Sequence, residues 1–306
     1  MHLKFFRILI LSLTIIFVLI GFSAVMADTP PAWGELVPGP HAVGFKTIEK
    51  YDYTRAFRAK RDYFGNTIPG ERARPIQVGI WYPADISEVA APMVYGEYTY
   101  AYPEDAGFIG ILSQFHNREL QRDHAFTSST GGMADMQNLK LAAIKDAAPA
   151  EGSFPLILYH PHAEGSYCEN AVLCEYLASQ GFIVATTHPL GTTRLSPQPE
   201  ANDLTSILRD MAFVKGVMHD FPPVDPDHLG VVGWGLGGVT ALWMQMQDSD
   251  VDAVVDLAGA LSFAEVFDLI RQHPYFLPAK MQVPLMQLCP ADNPEPDPSL
   301  IDSLVY

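Results

Sequence analysis

The run Leu229-Gly-Val-Val-Gly-Trp-Gly-Leu-Gly-Gly238 decides the fold. A short apolar strand (229–233) enters a turn crowded with glycine, and helical spacing leaves it from Gly238 to Gln247. Two motifs compete for the turn. Gly233, Gly235 and Gly238 spell Gly-x-Gly-x-x-Gly, the dinucleotide fingerprint, whose glycines let a pyrophosphate approach a helix N-terminus. Asp256, at the end of the next strand, stands where that motif wants an acid, about 20 residues on. Position argues against this reading, because the fingerprint belongs to the first strand of a nucleotide domain and few strands follow here. The second motif is Gly-x-Ser-x-Gly, a strained strand-to-helix elbow that lifts a nucleophile, with its glycines at Gly233 and Gly237. Its central position is Gly235, which has no oxygen to attack an acyl carbon. A glycine turn kept for packing alone is the third reading.

Outward from the turn the chain alternates. PLILY (155–159), FIVATT (182–187), VDAVVDLAG (251–259) and VPLMQLC (283–289) are apolar strand segments. Asn170 to Gln180 reads as a helix ended by Gly181 at its C′ position. Asp203 to Met218 is amphipathic, with Leu204, Ile207, Leu208, Met211 and Val214 on one side. Such alternation predicts an α/β fold, a mostly parallel sheet with helices on both faces. Upstream, RPIQVGIWYP (74–83) is a strand closed by Pro83, and Lys46 to Tyr53 is a looser first strand. The pattern weakens from about Tyr95 to Glu151, which reads as an insertion with a short helix over Leu139 to Ala147. Thr29 to Pro40, rich in proline and glycine, is a linker or extended arm.

The chain has 306 residues, 48% of them apolar and 18% charged, which excludes a disordered tail and a coiled coil. Its net charge of −16 repels phosphate backbones, so nucleic acid is not an expected partner. Residues 1–27 form a secretory leader pattern: Lys4 and Arg7 in front, an apolar run from Ile8 to Ala24, and small residues before Asp28. Cleavage after Ala27 predicts a secreted or periplasmic protein with no stable membrane span; uncleaved, the run is long enough to anchor it. The remainder divides into an arm (28–45) and one domain (46–306) with the insertion at about 95–151. Cys168, Cys174 and Cys289 read as three buried thiols.

Five segments resemble the α/β-hydrolase superfamily, specifically the branch of platelet-activating-factor acetylhydrolases and bacterial dienelactone-hydrolase-like proteins. They are VGIWYPA (78–84), FPLILYHPHAEGS (154–166), FIVATTHPLGTT (182–193), the helix opening at Asp203, and VVGWGLGGVTAL (231–242). The resemblance implies an α/β-hydrolase fold and ester hydrolysis by a Ser-His-Asp triad with an oxyanion hole. Carried over singly, the nucleophile position is Gly235 and is vacant. The oxyanion donors fall to the N–H of Leu236 and to the loop at His162 and Ala163, where Glu164 would oppose a developing negative charge. The triad acid is Asp256, with Asp292 as the alternative placement. The only histidine after Asp256 is His273, which reads as a helix-end residue near Pro274 rather than a base. His160, His162 and His188 end strands near the site but lack tight metal-ligand spacing, so neither metal nor cofactor is expected. The chain stops soon after residue 289, which reads as lacking the last strand region and its histidine loop.

These residues predict a scaffold that has lost its chemistry and takes, at most, a small ester or lipid-like ligand. An active ester hydrolase with a non-standard constellation is the first alternative. A dinucleotide-binding protein using Gly233, Gly235 and Gly238 is the second.

Overall fold

In the computed structural model the described residues are 30–86, 90–99, 105, 108–113, 115, 117, 136–258 and 264–289. The leader, Asp292 and the chain beyond residue 289 lie outside them. A long hairpin opens the fold: β1 (Ala42–Phe57) runs antiparallel to β2 (Arg72–Asp85), with a bulge between Asp52 and Ala56. Two short strands, β3 (Ile144–Lys145) and β4 (Ala148–Pro149), pair with β1 and β2. The parallel part follows as β5 (Phe154–His160), β6 (Ile183–Thr187), β7 (Val224–Trp234), β8 (Val251–Leu257) and β9 (Leu285–Leu288). The helices are α1 (Tyr95–Thr99), α2 (Ala171–Ser179), α3 (Ala201–His219), α4 (Leu236–Gln247) and α5 (Ala264–Arg271). The strands lie in the order β3-β1-β2-β6-β5-β7-β8-β9, with β4 beside β2.

Alternation along each strand sends side chains to two cores. Leu156 and Leu158 of β5 face one side, where Leu204, Met211 and Val214 of α3 and Leu242 and Trp243 of α4 cover them. Ile157 and Tyr159 face the other, against Ala171, Cys174 and Ala178 of α2. Both faces of the central strands are therefore dry, which is why they read as unbroken apolar runs. Each fully buried aliphatic side chain contributes about 1.5–3 kcal/mol. Gly181 ends α2 with φ +98°, the conformation expected of that position.

Two expectations are corrected, on the helix at 139–147 and on the burial of Cys289. Residues Leu139 to Ala147 are not helical. Met93 N–H donates to Ala143 O and its carbonyl accepts from Leu141 N–H, which holds the stretch extended, and Ile144 and Lys145 join the sheet as β3. The amides of Ala142 and Ala143 donate to the buried carboxylate of Glu175, so long-range partners override local helix propensity. The arm is docked. Pro31–Trp33 forms a 3-10 turn, Trp33 is buried, and its indole N–H donates to Glu175 Oε2 at 3.0 Å. The hydroxyl of Tyr98 donates to Glu175 Oε1 at 2.6 Å. Burial raises the Glu175 carboxyl above its ordinary value, and those donors oppose the rise. Finally, Cys168 and Cys174 are buried but Cys289 is exposed, at the rim after β9. Among the described residues no helix is long and apolar enough to cross a membrane.

Candidate active site

His160, Gly233, Asp256 and Gln287 stand in one row across β5, β7, β8 and β9, at the C-terminal ends of these strands. Between the end of β7 at Trp234 and the start of α4 at Leu236 the chain turns on a single residue. That residue is Gly235, at φ +55° and ψ −125°, a conformation L side chains rarely adopt. Gly235 N–H donates to Leu257 O and its carbonyl accepts from Gly238 N–H. Around it, Gly233 and Gly237 let the turn close on itself and on the His160 carbonyl. A one-residue, positive-φ passage from a central parallel strand into a helix is the elbow geometry. It sits in a sheet whose antiparallel first pair precedes a crossed β6-β5-β7-β8-β9 run.

The fold is that of the α/β hydrolases. The chain matches no family model and no curated protein. Among solved structures it is similar to a ferulic acid esterase from Streptomyces cinnamoneus, at 19% identity over 85% of this chain and 74% of that one, TM-score 0.47. It is also similar to a structure titled m3DLH, at 14% identity over 86% and 75%, TM-score 0.44. A DcsB complex with its substrate analogue aligns at 26% identity over 39% and 42%, TM-score 0.33. The fold stands on the strand order and the elbow rather than on these likenesses.

The α/β-hydrolase elbow is intact, but its crown is covered. A Cβ built on Gly235 would lie 2.3 Å from Cδ2 of His162, so the imidazole fills the place of a nucleophile's side chain. His162 is held there by its own loop, since its Nδ1 accepts from Glu164 N–H at 3.1 Å. Its backbone N–H, an expected oxyanion donor, is already engaged: it donates to Glu169 Oε1 at 2.8 Å. Glu169 also accepts from the Tyr159 hydroxyl at 2.9 Å, and Asn170 Nδ2 donates to that hydroxyl in turn. Burial, with Glu169 beside it, holds the Tyr159 phenol well above its ordinary value, so it stays a neutral donor. The carboxylate bonded to the loop expected to supply oxyanion donors is thus Glu169, whereas Glu164 is exposed. Sequence reasoning missed Glu169 because only the fold of 159–170 returns it to the loop. Its signal was an acid just before the start of α2, where helix ends favour negative charge. Ala163 is buried in the apolar core, and Leu236 opens α4, so its N–H has no partner within the helix.

Asp256 is fully buried, and its Oδ2 accepts from Gln287 Nε2 at 3.0 Å. Its Oδ1 lies 2.1 Å from where a Cβ on Gly238 would be, so the bare glycine makes room for the carboxylate beneath the first turn of α4. This placement argues against the dinucleotide reading, because a pyrophosphate needs the positive pole of that helix and the Asp256 carboxyl lies against its first turn. His273 and His188 are committed elsewhere. His273 stacks on Trp243 with centroids 4.2 Å apart, its Nε2 meets Thr205 Oγ1 at 3.0 Å and its Nδ1 accepts from Tyr275 N–H. The Thr205 hydroxyl donates to Ala201 O, so it accepts from His273 Nε2–H. Both ring nitrogens are spent, and burial lowers the pKa of the ring. His188 stacks on Phe115, and its Nδ1 accepts from Tyr167 N–H. Among the described residues no three His, Cys, Asp or Glu side chains gather to hold a metal ion.

Placing a serine at the elbow should cost stability and give no ester hydrolysis. Gly235→Ser introduces positive φ on an L residue, about 1–2 kcal/mol, and drives its Cβ into the His162 ring. Adding His162→Ala should recover the steric part in a thermal melt, while ester hydrolysis stays at the buffer rate. Product release above that rate in either variant would show that a base is in place.

Proposed function

We propose that this chain is an exported α/β-hydrolase-like protein of the ester-hydrolase kind that has lost serine-type hydrolysis. One observation carries the reading: at the elbow a glycine replaces the nucleophile, and the His162 imidazole fills the space above it. The Glu169 carboxylate on the His162 amide adds to this support, because an oxyanion would have to displace an anion from its own donor. The basic front and apolar run of residues 1–27 support export. What remains is a binding scaffold, and a small ester or lipid-like molecule is the ligand class implied by its resemblance.

The purified protein should not be labelled by a fluorophosphonate probe, and short aryl esters should give no burst of product. Intact-mass spectrometry after incubation with an activated ester should show no acyl adduct on the folded chain. An adduct that forms once per molecule and turns over would favour the alternative, an active hydrolase with a non-standard constellation.

A further inference from the structure

A cavity of about 560 Å3 opens between the end of β1, the loop after β6 and the first turns of α3. Four arginines line it, Arg55, Arg58, Arg74 and Arg209, together with neutral polar groups such as Thr193 and Asn202. Among the described residues no carboxylate lines it, in a chain whose net charge is −16. The acids that belong to this region are turned away. Asp210 accepts from Arg74 through both oxygens, at 2.6 Å each, and Asp52 accepts from Arg55 Nε at 2.6 Å. Asp203 accepts from the Thr192 amide, the Thr192 hydroxyl and the Gln198 amide. Glu71 reaches Arg58 only at 4.0 Å, with both side chains largely exposed.

The arginines divide into two kinds. Arg55 and Arg74 form a fixed floor, anchored also to the carbonyls of Ser206, Leu190 and Gly191. Arg55 Nη2 is buried within 2.7 Å of Asp210 Oδ1, yet makes no aligned hydrogen bond. Arg58 and Arg209 stand at the exposed rim. A floor of ion-paired guanidiniums beneath two exposed rim guanidiniums suits a tetrahedral oxyanion, which takes paired N–H donors from planar forks. The one apolar side chain in the wall is Ala56, so an acyl chain would find no partner here.

We propose that this cavity binds a phosphate group, carried by a small soluble monoester or free in solution. The site shares no lining residue with the elbow and does not depend on the reading of that site. Isothermal titration at matched ionic strength, with inorganic phosphate and with glycerol 3-phosphate, tests it on the full chain. Saturable binding is expected, and Arg58→Gln and Arg209→Gln should each weaken it about tenfold. Arg194→Gln, at an exposed arginine outside the cavity, should leave it unchanged. Thermal melts of the unliganded variants check that the fold is kept. Tighter binding of glycerol 3-phosphate assigns the site to an organic monoester, and equal binding to free phosphate. Heats no larger than those of chloride, or rim variants that bind like the parent, would overturn the proposal.

Discussion

Asp210→Ala should destabilise the fold by about 3–5 kcal/mol, the cost of breaking a buried ion pair from one side. Asp210 is almost wholly enclosed on α3, and both its oxygens are occupied by Arg74 of β2. Arg55 of β1 approaches the same carboxylate at 2.7 Å. Removing the acid strands the Arg74 guanidinium, which cannot lose its proton, and leaves Arg55 with Asp52 as its one carboxylate partner among the described residues. Asp210→Asn keeps the shape and should cost nearly as much, because charge rather than volume is missing. The double change Arg74→Met with Asp210→Leu should recover most of the loss, since well-packed apolar groups replace a buried pair at little cost. Urea unfolding measures all three, and a lower midpoint at unchanged slope reads as stability alone. An Asp210→Asn variant within about 1 kcal/mol of the parent would mean that water reaches the pair. Stability totals only about 5–15 kcal/mol in most domains, so the alanine variant should be partly unfolded at body temperature.

Acid should unfold the protein through His160. This histidine ends β5, fully buried, and its Nδ1 lies 2.9 Å from Thr240 Oγ1. The threonine hydroxyl donates to Gly237 O, so it accepts from Nδ1–H and leaves Nε2 as the bare nitrogen. Nε2 is buried and meets no hydrogen-bond partner among the described residues. A proton placed there would have nothing to hold it, and burial pushes the pKa of the ring down to about 3. The unfolded chain takes up that proton below about pH 6.5. Between these values the unfolded state binds more protons, so stability is full above about 6.5 and is lost as pH falls towards 3. The loss approaches about 1.4 kcal/mol per pH unit, or about 3 kcal/mol by pH 4. His273, also lowered by burial, acts in the same direction. His160→Asn keeps an N–H for Thr240 and cannot titrate. It should lower stability at pH 7 through the void it leaves, yet flatten the decline between pH 6.5 and 4. An unchanged slope would shift the acid sensitivity to other groups.

The sheet was legible wherever a strand is buried on both faces. PLILY carries no polar residue and FIVATT only its two closing threonines, and Gly181 marks the end of α2 by its conformation. The first strand extends beyond Lys46 to Tyr53 because its ends are held by pairing with β2, which no local pattern records. The stretch at 139–147 has helical residues and extended structure, since its partners, Met93 and Glu175, are far away in sequence. At the elbow the sequence exposed the missing oxygen but could not see what fills the gap. The packing of His162 over Gly235 and the return of Glu169 onto the loop are contacts between turns, and nothing in their spacing implies them. The arginine cavity was invisible for the same reason, as its walls come from β1, β2, the loop after β6 and α3.

Glu175 links three distant stretches: the arm through Trp33, α1 through Tyr98, and the extended segment through Ala142 and Ala143. A buried carboxylate tolerates the loss of a donor poorly. Release of any one stretch therefore weakens the grip on the others, and the three form a single cooperative unit of opening rather than separate frayed ends. The proline-rich arm reads in sequence as a leash. Thermodynamically it is a keystone set 142 residues from the carboxylate it meets.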